Sequence, residues 1–430
     1  MTAPITVAVV GAGASGQLAA IAAAEGGAKV VLLEQLRRPG VKVLATGGGR
    51  CNLTNLTAAP AFVAAFGRQG RFMSHALDLL GPEALREFFA RLGVPTVVED
   101  DVYVFPATGR AADIQSALAR RCDQLGVTLL PAHPVRGLWL ENRDSHHFPK
   151  DEKMVTVPIL RGVEVEGGER VEAGRVVLAC GGKSWPELGG TGGGYGLARL
   201  AGHTIVEPTP ALVPLVTREK WPEKLAGVSL ARARVWIDLP RQSKVGLAGG
   251  LLLTHHGLSG PAILDLSGTV AVLLQKGPVP IRIELLAGVD VAAWRGRFNE
   301  WRTAAGSRSV VSLLREHLPE SLCLVLCEQA KVAVSTTAAQ LPAGGRDALA
   351  GLLGALPFTV TETKGFDVAF VTRGGVKLSE VAPSTLASRL LPGLFFAGEL
   401  LDLDGPCGGF NLQWAFASGY LAGRSAAKRD

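Results

Sequence analysis

Apolar and polar positions alternate between two rhythms along this chain. Residues 7–10 and 30–33 are short unbroken apolar runs, the pattern of strands buried on both faces. The uncharged stretch between them, rich in alanine, reads as a helix with Ala20 and Gly27 keeping it slim. Residues 176–179 form another buried run, and a fourth begins at Phe395. Strand, helix and strand in that order predict an α/β fold with a parallel sheet. The middle of the chain differs. Residues 232–239, 281–285 and 358–363 alternate with period two and read as strands. Trp294, Phe298, Trp301, Val311, Leu313, Leu314 and Leu318 recur at helical spacing, with Pro319 and Pro342 as stops. Between residues 127 and 182 short strands surround a polar insertion at 141–153, as in a meander with one long hairpin. The helix after the glycine-rich turn 189–196 is expected over 197–201.

Glycine punctuates these elements at telling places. Gly11, Gly13 and Gly16 follow the first strand and open the helix around Ala14 and Ser15, and Glu34 and Gln35 end the second strand. Gly11 permits a tight turn, Gly13 lets backbone approach a pyrophosphate, and Gly16 lets helix and strand pack closely. Glu34 falls where a carboxylate takes adenosine ribose hydroxyls. Dinucleotide binding follows. A second cluster runs from Lys42 through Thr46, Gly47, Gly48, Gly49, Arg50, Cys51 and Asn52 to Asn55, offering exposed backbone N–H groups and side-chain donors. A third is Cys180-Gly181-Gly182 at the end of a strand. The last carries Gly398, Glu399, Asp402 and Asp404, then Gly408 and Gly409. An uncharged helix follows, opening near Asn411, Leu412 and Gln413. A helix N-terminus stabilises an anion, and a reduced flavin ring is one. FAD is the cofactor that joins both ends of this reading.

Composition narrows the class. With 430 residues and 47% hydrophobic content the chain buries a large core in two or three domains. The uncharged stretch from Thr2 to Ala24 lacks a basic n-region and is broken by the fingerprint glycines, so it reads as a buried βα unit of a cytoplasmic protein. Six cysteines show no CxxC spacing, and Cys323 and Cys327 share one helical face, which suits free thiols in a core. His255 and His256, adjacent on an expected strand, point to opposite faces and cannot readily share a metal. Ser259 reads as a turn or N-cap residue and His203 as structural. The net charge of +6 is uneven: Arg218, Lys220, Lys224, Arg232, Arg234, Arg241 and Lys244 fall in the β-rich middle, and Arg295, Arg297, Arg302, Arg308 and Arg315 in the helical part. Solvated surface is the plain reading. Steering of RNA is the functional one, through shape and charge since no RNA-binding signature is present. DNA and stable membrane association are not expected.

Five segments together resemble one family. They are GGGRCNLTN (47–55), VFPATGRAADI (104–114), LLLTHHGLSGPAILDLS (251–267), VTRGGVKLSEV (371–381) and FAGELLDLDG with GGFNLQWAFASG (396–419). They are similar to the signatures of flavoproteins called aminoacetone oxidase-like, BaiN-like or YhiN-like NAD(P)/FAD-dependent oxidoreductases. The resemblance spans essentially the whole chain; Gly193 departs from it, standing where relatives often carry an acidic residue. It implies a Rossmann-type FAD domain resembling that of glutathione reductase, made of residues 1–205 and 377–430. It implies a β-barrel-like insert over 206–290 and 354–376, and a helical insert over 291–353.

The resemblance also implies NAD(P)H-dependent reduction of an enone-type double bond by hydride from flavin N5. Uridine in ribosomal RNA is one candidate substrate. The alternatives are a small-molecule oxidase or reductase, resembling aminoacetone oxidase or a bile-acid reductase, and a flavin-binding module without turnover. No second dinucleotide fingerprint is present, so NAD(P)H would bind transiently. Such a reduction needs a proton donor. Cys51 beside Arg50 is one candidate, because a neighbouring cation lowers a thiol's pKa; Cys407 is its rival and Tyr103 a third. Cys51 as a small packing residue is the plainer alternative. The family likeness would also bring Phe105, Pro106 and Arg110 near the flavin.

Overall fold

The computed structural model describes residues 4–141 and 158–429. Apart from Glu141, the expected hairpin insertion at 141–153 lies outside them. The chain divides into two compact units, Met1–Pro208 with Val371–Asp430, and Thr209–Phe370.

The first unit is built on a five-stranded parallel sheet. Its strands are β1 (Thr6–Val10), β2 (Lys29–Leu33), β3 (Thr128–Leu130), β4 (Arg175–Leu178) and β5 (Leu394–Phe396), in the order β5-β4-β1-β2-β3. Val7, Ala8, Val9, Leu32, Leu33, Val176, Val177 and Leu178 are buried, the unbroken apolar run that a parallel sheet covered on both faces requires. The chain moves one way from β1 through helix α1 (Ala14–Glu25) to β2 and β3, then returns to the other side of β1. That reversal opens a crevice at the carboxyl ends of β1 and β4, where open α/β sheets bind ligands.

The C-terminal helix α2 (Phe410–Ala426) lies against α1. A Cβ on Gly419 would stand 2.1 Å from the Ser15 carbonyl oxygen, and one on Gly423 2.0 Å from that of Ala19. No side chain fits there. Backbone meets backbone, and the two ends of the chain close into one unit.

The second unit is a closed six-stranded barrel. Ser229–Ile237, Val279–Glu284 and Leu356–Thr363 are three of its strands, each near an expected alternating segment. The helices Val291–Ala304, Val310–Leu314, Glu320–Gln329 and Ala343–Ala355 share its core through Trp294, Phe298, Cys323, Cys327 and Leu353. Pro319 and Pro342 stand at the N-caps of the third and fourth of these helices, so each starts a helix where a stop was expected. His255 and His256 lie in the turn between strands Leu247–Thr254 and Gly257–Ser259, not on a strand. Ser259 belongs to the latter strand, and Gly260 caps the helix Pro261–Leu274. No helix among the described residues is long and apolar enough to cross a membrane.

The helix–helix contact makes a signed prediction. Gly423→Ala forces a methyl group into the Ala19 carbonyl and lowers the unfolding free energy by about 2 kcal/mol. Gly196→Ala, at an exposed helical position where a Cβ meets nothing within 4 Å, raises it by up to about 1 kcal/mol. Urea titration reads both; the same sign for the two variants would contradict the close approach.

Candidate functional site

The turn from β1 into α1 is pressed tight on one side and open on the other. Gly11 has φ of +98°, and a Cβ there would meet the Ala179 carbonyl oxygen at 2.6 Å. A Cβ on Gly16 would meet the Gly11 carbonyl oxygen at 1.7 Å, whereas one on Gly13 meets nothing within 4 Å. Gly13 is the N-cap of α1, no side chain caps the helix, and its first turn holds no acid. The N-terminal N–H groups therefore face an open side, which suits a pyrophosphate. Glu34, at the end of β2, is 8% exposed. One of its oxygens accepts from the Ala12 N–H at 2.7 Å and the other from the Leu36 N–H at 2.9 Å. The carboxylate thus braces the glycine turn and keeps lone pairs for ribose hydroxyls. Its removal costs fold stability as well as ligand contacts. This donor set fits the adenosine and pyrophosphate half of FAD.

Gln35 follows Glu34 and is held through its side chain. Its amide donates to the Gly189 carbonyl at 2.7 Å and closes the glycine-rich turn over residues 189–192. That turn is packed too, since a Cβ on Gly190 would lie 1.8 Å from the Ser184 carbonyl oxygen. The following helix spans Gly193–Leu200, starting earlier than its spacing suggested.

Lys42, Glu399, Ser184 and Thr372 form the polar centre of this edge. Lys42 Nζ donates to Glu399 Oε2 at 2.8 Å and to Ser184 Oγ at 2.6 Å. Glu399 Oε1 accepts from Ser184 Oγ at 2.8 Å and from the Thr372 N–H at 2.7 Å. Burial pushes the Glu399 carboxyl up, but Lys42, Ser184 and Thr372 outweigh it and hold the group below the usual carboxylate range. Gly182 is obligatory, for a Cβ there would meet Thr372 Oγ1 at 2.4 Å and Glu399 at 2.6 Å. Gly181 has φ of +71°. Gly398 lies over Ser15, with a Cβ position 2.6 Å from Ser15 Oγ, and its N–H donates to Ser418 Oγ at 2.9 Å. The Cys180 thiol is pushed up to about 12 by burial and by Glu34, so it stays protonated. Burial raises Asp402, which accepts from Gln69 at 3.0 Å, while Asp404 forms a two-pronged ion pair with Arg373.

The third part surrounds the start of α2. In the Gly-rich loop, Gly47, Gly48, Gly49 and Cys51 all have positive φ, and Gly48 faces open space. Thr46 Oγ1 donates to the Val43 carbonyl at 2.6 Å, holding the loop to its preceding turn. The left-handed turn at Cys51 separates two neighbours expected to act together. Cys51 is fully buried, and burial pushes its thiol up to about 12 against an opposing hydrogen bond from Thr46. Arg50 points outward, paired with Glu99 and stacked 4.2 Å above the Phe105 ring. Arg50 is thus held by Glu99 and Phe105 and does not lower the Cys51 thiol as its neighbour in sequence was expected to. Arg110 pairs with Asp113 at the start of the helix Ala111–Gln124.

Gly409, the N-cap of α2 with φ of +90°, fits under strand Thr54–Asn55. A Cβ there would lie 2.5 Å from the Thr54 carbonyl oxygen and 2.8 Å from Asn52 Oδ1. Asn52 Oδ1 is buried and makes no hydrogen bond among the described residues, an acceptor ready for a ligand donor. Asn55 Nδ2 donates to the Gly408 carbonyl at 3.0 Å. The side chains of Asn411 and Gln413 are occupied internally: Asn411 bonds Gly405 and Pro406, and Gln413 donates to the Leu80 carbonyl at 2.6 Å. Leu412 is half-buried. What α2 offers a ligand is its backbone N–H groups, with no acid in its first turn. Cys407 is half-buried and in no disulfide.

Ser184 and Gln69 were not singled out in the sequence, and Thr372 lay unremarked within the 371–381 segment, because each matters through partners far away in the chain. His203 has a triad-like setting, with Nε2 2.7 Å from Ser388 Oγ and Nδ1 3.3 Å from Glu380. Ser388 Oγ also accepts from the Leu390 and Leu391 N–H groups, and His203 is buried, so the trio locks a turn rather than arming a nucleophile.

A family model described as the HI0933-like protein Rossmann domain matches residues 5–425. The chain belongs to that family, whose members are FAD-dependent oxidoreductases. It is 36% identical over 427 residues to a 3-dehydro-bile acid delta(4,6)-reductase of Clostridium scindens, covering 98% of this chain and 99% of the relative. It is 30% identical to a ribosomal RNA dihydrouridine synthase of Escherichia coli, covering 96% and 95%. Among solved structures it shares the fold of 3-ketosteroid delta1-dehydrogenase from Sterolibacterium denitrificans, with a TM-score of 0.53, 12% identity and coverage of 98% and 99%. A flavocytochrome c3 fumarate reductase gives a TM-score of 0.51 at 17% identity, covering 98% of this chain and 78% of that one. The first unit is a Rossmann-type FAD-binding domain.

Lys42→Met tests the half-buried pair. Glu399 then keeps hydrogen bonds but loses its cation, and the unfolding free energy falls by about 2 kcal/mol at pH 7. A depressed carboxylate contributes stability above its unfolded pKa, about 4.3, and loses it as pH falls through the lower folded value. The gap between wild type and variant should accordingly close below about pH 4 in urea titrations. A gap independent of pH would contradict the assignment.

Proposed function

We propose that this member of the HI0933-like Rossmann family reduces a carbon–carbon double bond conjugated to a carbonyl in a small molecule, with electrons drawn from a nicotinamide cofactor. One observation carries the reading. A sheet edge shaped for FAD belongs to a chain matched end to end by relatives whose names denote saturation of a ring double bond, a delta(4,6)-reductase and a dihydrouridine synthase. The reductase is the more similar of these two, which favours the small molecule.

When bound, FAD supplies a carrier that accepts two electrons and passes them on as hydride. The chain's residues divide the work of holding it. The α1 N–H groups around Gly13, Ala14 and Ser15 would take the pyrophosphate, and Glu34 the adenosine ribose. Lys42 would place its charge beside the ribityl–phosphate path while anchored on Glu399. The open Cβ side of Gly48, the Asn52 side-chain carbonyl and the start of α2 would line the ring. Helix-end N–H groups stabilise negative charge on a reduced ring and so favour its formation. The packed state of the 189–192 turn supports a nicotinamide that binds only in passing, since that glycine run is consumed by the fold.

A second reading has its own support. Arg218, Lys220, Lys224, Arg232, Arg241 and Lys244 are exposed and form no ion pair among the described residues, whereas Arg234, Arg282, Arg295, Arg308 and Arg315 are paired. Such uncompensated charge suits RNA.

Purified holoenzyme separates the two. With NADH or NADPH, a 3-oxo-Δ4 steroid should accelerate nicotinamide oxidation at least about tenfold over the oxygen-only rate. If ribosomal RNA accelerates it and yields dihydrouridine while the steroid does not, the RNA reading replaces this one. Acceleration by neither would defeat both.

A further inference from the structure

Saturating a conjugated double bond needs a hydride at one carbon and a proton at its neighbour, and the donor set at the start of α2 is short. Cys51 is buried and its thiol pushed up to about 12. Arg50 is engaged by Glu99, Asp404 by Arg373, and Asp402 by Gln69. Tyr103 is different. It is half-buried, lies in strand Tyr103–Pro106 directly opposite Asn55, and its hydroxyl makes no hydrogen bond among the described residues. The 405–409 loop is shaped around it. Gly408 has φ of +104°, and a Cβ there would come within 2.8 Å of Tyr103 Cε1, the ring carbon next to the one bearing the hydroxyl. Asn55 fixes the same glycine through its carbonyl. The hydroxyl end of Tyr103 thus stands at the rim of the loop that delivers the N-terminus of α2.

We propose that Tyr103 is the catalytic proton donor of this site, a role that rests on the double-bond reduction proposed above. A bound flavin, reduced by nicotinamide or by dithionite, would supply the hydride that the β-carbon takes up. The double bond's electron pair shifts toward the carbonyl, and the α-carbon takes the Tyr103 hydroxyl proton. The phenolate is reprotonated by solvent, so the balance is one hydride and one proton added across one double bond.

The test uses FAD-loaded enzyme reduced with dithionite, which removes any dependence on nicotinamide binding, and 2-cyclohexen-1-one as the probe enone. Tyr103→Phe keeps the ring that packs on Gly408. Flavin reoxidation by the enone under anaerobic single turnover should slow about 100-fold or more. FAD content, and the Kd of the oxidised enzyme for the enone read by flavin fluorescence, should stay within about twofold of wild type. An unchanged rate overturns the assignment and moves the role to Cys407, tested in parallel as Cys407→Ala. A rate loss matched by loss of FAD or of enone binding also overturns it, marking Tyr103 as structural. Wild-type enzyme that neither this enone nor a 3-oxo-Δ4 steroid reoxidises would instead defeat the functional reading itself.

Discussion

The first unit depends on backbone lying against backbone along the first half of α1. Its first turn is wedged between the end of β4, where Gly11 abuts Ala179, and α2, where Gly419 abuts Ser15. Any side chain at these points would push the helix away from the sheet. The constraint explains why the helix N-terminus is uncapped: the polar residues that would satisfy its N–H groups are absent, and the open side over Gly13 is left for a ligand. It also explains how a domain made from two distant pieces of chain holds together. The C-terminal helix is a structural half of the binding edge, and its own N-terminus enters the site because its middle is fixed on α1.

Electrostatics follows from that packing. A site for a pyrophosphate should not carry uncompensated carboxylates, yet Glu34 and Glu399 both border it. Each is neutralised by a different device. Glu34 spends its charge on two backbone N–H groups, one belonging to the glycine turn itself. Glu399 spends its charge on Lys42, Ser184 and the Thr372 N–H, which ties together segments from both pieces of the chain. The carboxylates thereby act as braces that aim donors at the ligand.

The strand–turn–helix at Gly11–Gly16 was legible because close packing and phosphate approach demand glycine at fixed spacing, whatever the rest of the fold. The parallel sheet was legible from apolar runs. Arg50 and Cys51 show where reading along the chain runs out. Adjacent residues look like partners, but a positive φ at Cys51 sends one side chain inward and the other to Glu99. The side chains of Asn411 and Gln413 are likewise placed by packing that the sequence does not show. Their amides serve the 405–406 turn and the Leu80 carbonyl, and only packing decides that. Ser184 carried no signal, and Thr372 only that of its segment, since each acquires its role only when β4 and the returning chain meet.

The central claim is that this sheet edge recognises the adenosine half of a flavin dinucleotide, so it is tested most directly by comparing FAD with FMN on the apoprotein. Isothermal titration calorimetry should show FAD binding at least about 100-fold more tightly than FMN, the factor expected when helix N–H groups and a ribose-directed carboxylate lose their partner. Equal affinities would mean that the Gly11–Gly16 turn and Glu34 contribute nothing to binding, and would contradict the account.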